Sequence, residues 1–236
     1  MRWLPRHRGL MTGVAVAGFG GGAIALSSVA SYFLTGGMDV LDFFGWMAAV
    51  AGGLLFLASM LLALPAHSVR TTEVEQRAPS GVFSLSFAVC ALGIFAGTFS
   101  GLLIIGNLTP IATGNGLSLA VAVQGVSAFA AGNAVGRIAW GYLFDRIRYL
   151  AIPASLATFA VALILLGISS NAAAFLPVAV FLGFGFGANF VVYAAALTRR
   201  FGVDAFARLY PICFLGYGLA GVTGPALGGY LADTRG

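Results

Sequence analysis

Residues Asn133 to Arg148 read N-A-V-G-R-I-A-W-G-Y-L-F-D-R-I-R. An arginine, Arg137, stands inside a long apolar segment, which then closes on Gly141 and the charged turn Asp145, Arg146 and Arg148. A guanidinium among hydrocarbon costs from about 3 to over 10 kcal/mol, so a chain that keeps one there has a use for it.

Composition says what surrounds that arginine. Of 236 residues, 60% are hydrophobic and 8% charged, and the mean hydropathy is +0.99. A soluble domain carries about 25% charged residues, so this chain cannot clothe a water-facing surface. Only helices and closed barrels can span lipid, and the apolar runs here are long and unbroken instead of alternating. The expected fold class is therefore an all-α membrane protein, a polytopic helical bundle.

Seven segments are long enough, at about 19 to 27 residues, to cross hydrocarbon about 30 Å thick. They are Leu10–Leu34, Phe43–Leu64, Val82–Ile105, Leu117–Leu143, Leu150–Ile168, Ala172–Leu197 and Leu209–Leu231. All twelve basic residues are arginine. Arg2, Arg6, Arg8, Arg70, Arg77, Arg146, Arg148, Arg199, Arg200 and Arg208 fall on one side if the seven helices alternate, and Arg235 falls on the other. This bias supports the helix count and marks a cytoplasmic N-terminus; the expected location is the plasma membrane, crossed several times. The bias also explains the net charge of +5 without nucleic acid. The partner is the lipid bilayer.

Other features carry less. Cys90 and Cys213 sit in apolar segments, and His7 and His67 lack a second ligand at metal spacing, so no metal or cofactor is implied. The arginine-bearing start and Ser28-Val29-Ala30 resemble a cleavable signal, but the apolar run of about twenty residues exceeds the usual 7–15. Gly18-Phe19-Gly20-Gly21-Gly22-Ala23 satisfies a dinucleotide fingerprint with Asp39 downstream, yet no strand precedes it. Glycines at that density, like Gly183, Gly185 and Gly187, suit close helix packing in lipid.

Gly141-x-x-x-Asp145-Arg146-x-Arg148 between two helices resembles the signature loop of the major facilitator superfamily. In that superfamily the loop follows the second helix of each six-helix half. With four spans before it, the second occurrence is the one that fits. The polar connection Pro65–Gly81, which holds Glu73 and Glu75, then falls where the two halves join. Trp3-x-x-x-x-Arg8-Gly9-x-x-x-Gly13-x-x-x-Ala17-Gly18 is similar to the entry of the fifth helix in oxalate/formate antiporters and related monocarboxylate porters. Gly101-Leu102-x-x-Ile105-Gly106-Asn107-x-x-Pro110 resembles the end of their seventh helix, Gly136-Arg137-x-x-x-Gly141 the eighth, and Gly221-x-x-Gly224-Pro225-x-x-Gly228-Gly229 the eleventh.

The resemblance implies a partial major-facilitator fold of about seven transmembrane helices, helices five to eleven. Residues 1–64 would be the last two helices of the N-terminal half, 65–81 a cytoplasmic linker, and 82–236 five helices of the C-terminal half. Helices one to four and twelve, or a partner chain, would be needed for a full cavity. The implied activity is secondary transport of small organic anions and not enzyme catalysis. The alternative is a truncated remnant that transports nothing, or a scaffold for other membrane helices.

Asn133 and Arg137, four residues apart, share a helical face with Trp140 nearby. The planar fork of arginine gives a carboxylate two parallel charge-assisted bonds. In the resembling family the eighth-helix arginine binds the anion, a role that carries to Arg137 alone. The other reading is an arginine that snorkels toward Asp145, about 12 Å along the helix. Asn189 with Tyr193, and Tyr217 in the stripe Tyr210, Cys213, Tyr217, can donate to a bound carboxylate or simply pack between helices. Gly141, Asp145, Arg146 and Arg148 read as a gate or brace, or as solvated charges anchoring helix ends. Oxalate carriers of the family place a second cation on the eleventh helix. Leu209–Leu231 has none, so a monocarboxylate is expected.

Overall fold

The computed structural model describes residues 8–61 and 84–235, and the linker expected at 65–81 lies outside them. The described residues form helices joined by short turns, without a strand: α1 (Arg8–Thr35), α2 (Val40–Met60), α3 (Leu85–Gly114), α4 (Leu119–Ile147), α5 (Ala151–Gly167), α6 (Ala172–Ala188), α7 (Val192–Phe201) and α8 (Val203–Arg235). Five helical stretches are long and apolar enough to cross a membrane, and the third, Leu119–Gly167, contains both α4 and α5.

Helix starts follow ordinary capping chemistry. The side chains of Asp39, Ser84, Ser118 and Asn171 accept from the backbone N–H groups of Leu41, Phe87, Val121 and Ala174, opening α2, α3, α4 and α6. Each satisfies one amide that the first helical turn leaves unpaired. Through the glycine-rich stretch Gly18–Gly22 and on past Ser28–Ala30, α1 is one continuous helix, with no strand before the glycines.

Four expectations need correction. Helix α3 runs on to Gly114 through Pro110, well beyond Ile105. Helix α8 starts at Val203, before Leu209. Helix α4 continues through Asp145 and Arg146 to Ile147, so these two charges belong to its last turn and not to a loop. Nothing in Tyr142–Ile147 breaks a helix, and a cation in the last turn suits the negative end of the dipole. The chain turns at Arg148, whose φ of 57° and ψ of −129° make it the sole non-glycine residue at positive φ among those described. The segment expected as one helix over Ala172–Leu197 is interrupted at Asn189–Val191. There the amides of Asn189 and Val191 bond three residues back, to Phe186 and Ala188. Three glycines just before the break weaken the helix locally.

Two compact units emerge, residues 8–20 with 84–235, and residues 21–61. In the larger unit α4 packs most extensively on α6, and α3 on α8. Glycine makes the first pairing possible. A Cβ at Gly132 would collide with the Val180 backbone of α6, and one at Gly183 with the Phe129 carbonyl of α4. Without a hydrophobic drive between helices in lipid, such backbone approach supplies the packing. Around it lies a core that includes Phe129, Phe159, Phe175 and Leu182.

Candidate functional site

Arg137 sits mid-helix on α4, 2% exposed. Its Nε donates to Asn133 Oδ1 at 3.1 Å, across one helical turn. One of its terminal nitrogens donates to the main-chain carbonyl of Val16 on α1 at 2.6 Å. Its guanidinium carbon lies 4.4 Å from the centre of the Phe190 ring. The side chain thus leans back toward Asn133, away from the Asp145 end of α4, and is held by protein groups. A Cβ at Gly13 would run into the Arg137 carbonyl, so glycine there lets α1 come close enough to present Val16.

Phe190 lies in the break between α6 and α7 and is 7% exposed. Two rings meet it edge to face, Phe186 at 5.3 Å and Tyr217 at 5.4 Å between centroids. Phe214 stacks on Tyr217 at 4.9 Å. Beside this cluster is a cavity of about 280 Å³ lined by Met11, Thr12, Ala15, Val16, Phe190, Ala194, Phe206 and Tyr210. Its wall includes both Val16 and Phe190, the residues that grip the guanidinium from α1 and from the helix break.

The expected site residues divide. Asn133 touches Arg137 directly, and Tyr217 joins it through Phe190. Asn189 and Tyr193 instead face α3: a Cβ at Gly97 would strike the Asn189 side chain, and one at Gly93 would come within 2.6 Å of the Tyr193 hydroxyl. That hydroxyl is buried with no hydrogen-bond partner among the described residues. Trp140, expected near the Arg137 stripe, donates its indole N–H to the Phe184 carbonyl of α6 at 3.1 Å.

Phe190 is the residue that sequence reasoning missed. Nothing distinguishes it from the other phenylalanines, twenty in all, except its place two residues after the glycine run's Ala188.

At the end of α4, Asp145 Oδ2 accepts from the backbone N–H of Leu10, 135 residues away, at 3.0 Å. Leu10 is in the first turn of α1, where unpaired amides and the positive end of the dipole favour a carboxylate. Gly141 is buried one turn earlier. Arg146 rests over the Tyr142 ring at 4.5 Å. The charged motif therefore ties the end of α4 to the start of α1, the same pair of helices that Arg137 joins further along.

Residues 88–236 match the family model of the Major Facilitator Superfamily. The chain is 24% identical to the uncharacterized MFS-type transporter YhjX of Escherichia coli (strain K12), over 94% of its own length and 57% of that protein's. It is 25% identical to the oxalate:formate antiporter of Oxalobacter formigenes, over 100% of its own length and 58% of the antiporter's. It thus spans less than two thirds of the curated relatives it matches. With membrane-length helices, a charged motif at the end of α4 and a family match over most of its residues, the chain is a multi-pass membrane protein of the major facilitator superfamily.

Proposed function

We propose that the chain forms part of a secondary transporter for small organic anions, monocarboxylates in particular, that works by alternating access. The observation that carries this reading is Arg137, a buried guanidinium beside an apolar cavity. A charge so far from water is retained where it meets an opposite charge, and a fork of N–H donors matches a carboxylate. Asn133 orients it, and Tyr217 belongs to the same aromatic group. Asn189 and Tyr193 on the neighbouring turn would join an anion site only if the α3 contact loosens. Asp145 of α4, bonded to the first turn of α1, is the natural brace of one conformation, since such a bond breaks when two helices part.

From Leu209 to Thr234 α8 has no basic residue, so a second carboxylate would find no cation on it. The charge that Arg137 can neutralise is one. Each acidic residue in the described part, Asp39, Asp42, Asp145, Asp204 and Asp233, lies at a helix end. That favours anion exchange over a proton carried by a buried carboxylate. The arginine bias supports a cytoplasmic N-terminus, and the plasma membrane is the location we assign. Helices beyond those of this chain, on a longer chain or a partner, would complete the cavity.

The test is labelled lactate uptake into liposomes holding the purified protein. We expect unlabelled formate and lactate to compete and oxalate to compete weakly. Oxalate competing as well as lactate would overturn the monocarboxylate assignment. No uptake of any carboxylate would favour a non-transporting scaffold.

A further inference from the structure

We infer that Phe190 is a positioning residue for the anion-binding guanidinium, holding Arg137 by its ring face at the edge of the cavity. The inference rests on the reading of Arg137 as the anion site. Three features of the structure converge on it. First, the guanidinium carbon lies 4.4 Å from the ring centre, within the range of a cation–π contact. Second, the ring is held in place: Phe186 and Tyr217 meet it edge to face at 82° and 73°. Third, the same ring lines the cavity, together with Val16. A carboxylate entering there meets the groups gripping Arg137 before it meets Arg137.

The chemistry assigns the two partners different roles. The Val16 carbonyl occupies a guanidinium N–H, so a carboxylate reaching that N–H competes with it. The Phe190 ring lies 4.4 Å from the guanidinium carbon and attracts the cation through its π face, a contact distinct from the N–H bond that Val16 takes. Phe190 can therefore stay in place while an anion displaces the Val16 carbonyl. Its position in the α6–α7 break also fits this role. There the backbone leaves helical geometry, which lets a side chain aim across toward α4.

The test compares Phe190→Trp and Phe190→Leu in purified protein in liposomes, using labelled lactate as probe. Phe190→Trp keeps a π face and should retain binding. Phe190→Leu keeps apolar bulk without that face and should raise KM about tenfold while leaving kcat nearly unchanged. A second readout needs no transport: phenylglyoxal labelling of Arg137, resolved by peptide mass spectrometry. We expect faster labelling in Phe190→Leu than in the wild type or Phe190→Trp. Equal KM and equal labelling in all three, or equal loss in both variants, would overturn the role of Phe190. If Arg137→Ala itself leaves lactate KM untouched, the anion-site reading fails instead, whatever Phe190 does to the labelling.

Discussion

The α6–α7 stretch Ala172–Phe201 and the helix α2 are both apolar enough to cross a membrane, yet 67% of an apolar 18-residue segment of the first is buried and 6% of one in the second. In α2 Phe43 is buried, while Leu41, Leu54, Leu55 and Met60 are more than three-fifths exposed. In α7 every residue from Val192 to Thr198 is buried. Hydropathy is similar; the difference is how much of its own unit each helix packs against. Small residues mark it only when another backbone is there to receive them. Gly183 touches α4, whereas Gly45, Gly52 and Gly53 of α2 have no heavy atom within 4 Å of where a Cβ would stand.

Glycine substitution should break the comparison most sharply. Gly183→Leu puts a side chain into the Phe129 carbonyl, which cannot yield, so we expect a loss of about 3 kcal/mol or failure to fold. Gly52→Leu should be neutral or slightly stabilising. Thermal unfolding of the two variants in one detergent checks the pair; equal midpoints would refute the packing of α4 on α6.

The two aspartates at helix starts should differ less. Asp39 caps its own helix through Leu41 at 2.9 Å, while Asp145 caps α1 from across the fold. Asp145→Ala should cost about 1–2 kcal/mol, and Asp39→Ala about 1 kcal/mol or less. Hydrogen exchange at the first turn of α1 should rise in the Asp145 variant alone.

The smallest effect concerns two tyrosines. Tyr193 has a buried hydroxyl without a partner among the described residues, so Tyr193→Phe should be neutral or stabilise by up to about 1 kcal/mol. Tyr32, 76% exposed, should show no change as phenylalanine. A clear loss of stability in Tyr193→Phe would mean that its hydroxyl has an acceptor in the membrane.

Much of this was legible in the residues. Long unbroken apolar runs give helices because lipid offers the backbone no other partner. The stripe Asn133–Arg137 was legible too, since a spacing of four puts two side chains on one face. Packing glycines were read alike in α1 and α6, and the two outcomes differ: Gly183 and Gly187 meet α4, while Gly18 and Gly22 meet nothing within 4 Å. Which glycine faces a neighbour depends on tertiary placement, which no local pattern encodes. For the same reason the pairing of Asp145 with Leu10 and the ring beneath Arg137 were hidden. Both join residues more than fifty positions apart. The break at Asn189–Val191 escaped because apolar content is averaged over a whole span, whereas a break is decided by three residues.

The central claim is that Arg137 holds the transported anion, and exchange of labelled lactate in liposomes with Arg137→Ala beside the wild type tests it directly. Loss of one partner of a buried charged contact removes about 2–5 kcal/mol, so we expect exchange to fall about thirtyfold or more while the protein remains folded by thermal unfolding. Undiminished exchange in Arg137→Ala would contradict it and leave the arginine a packing residue between α1 and α4.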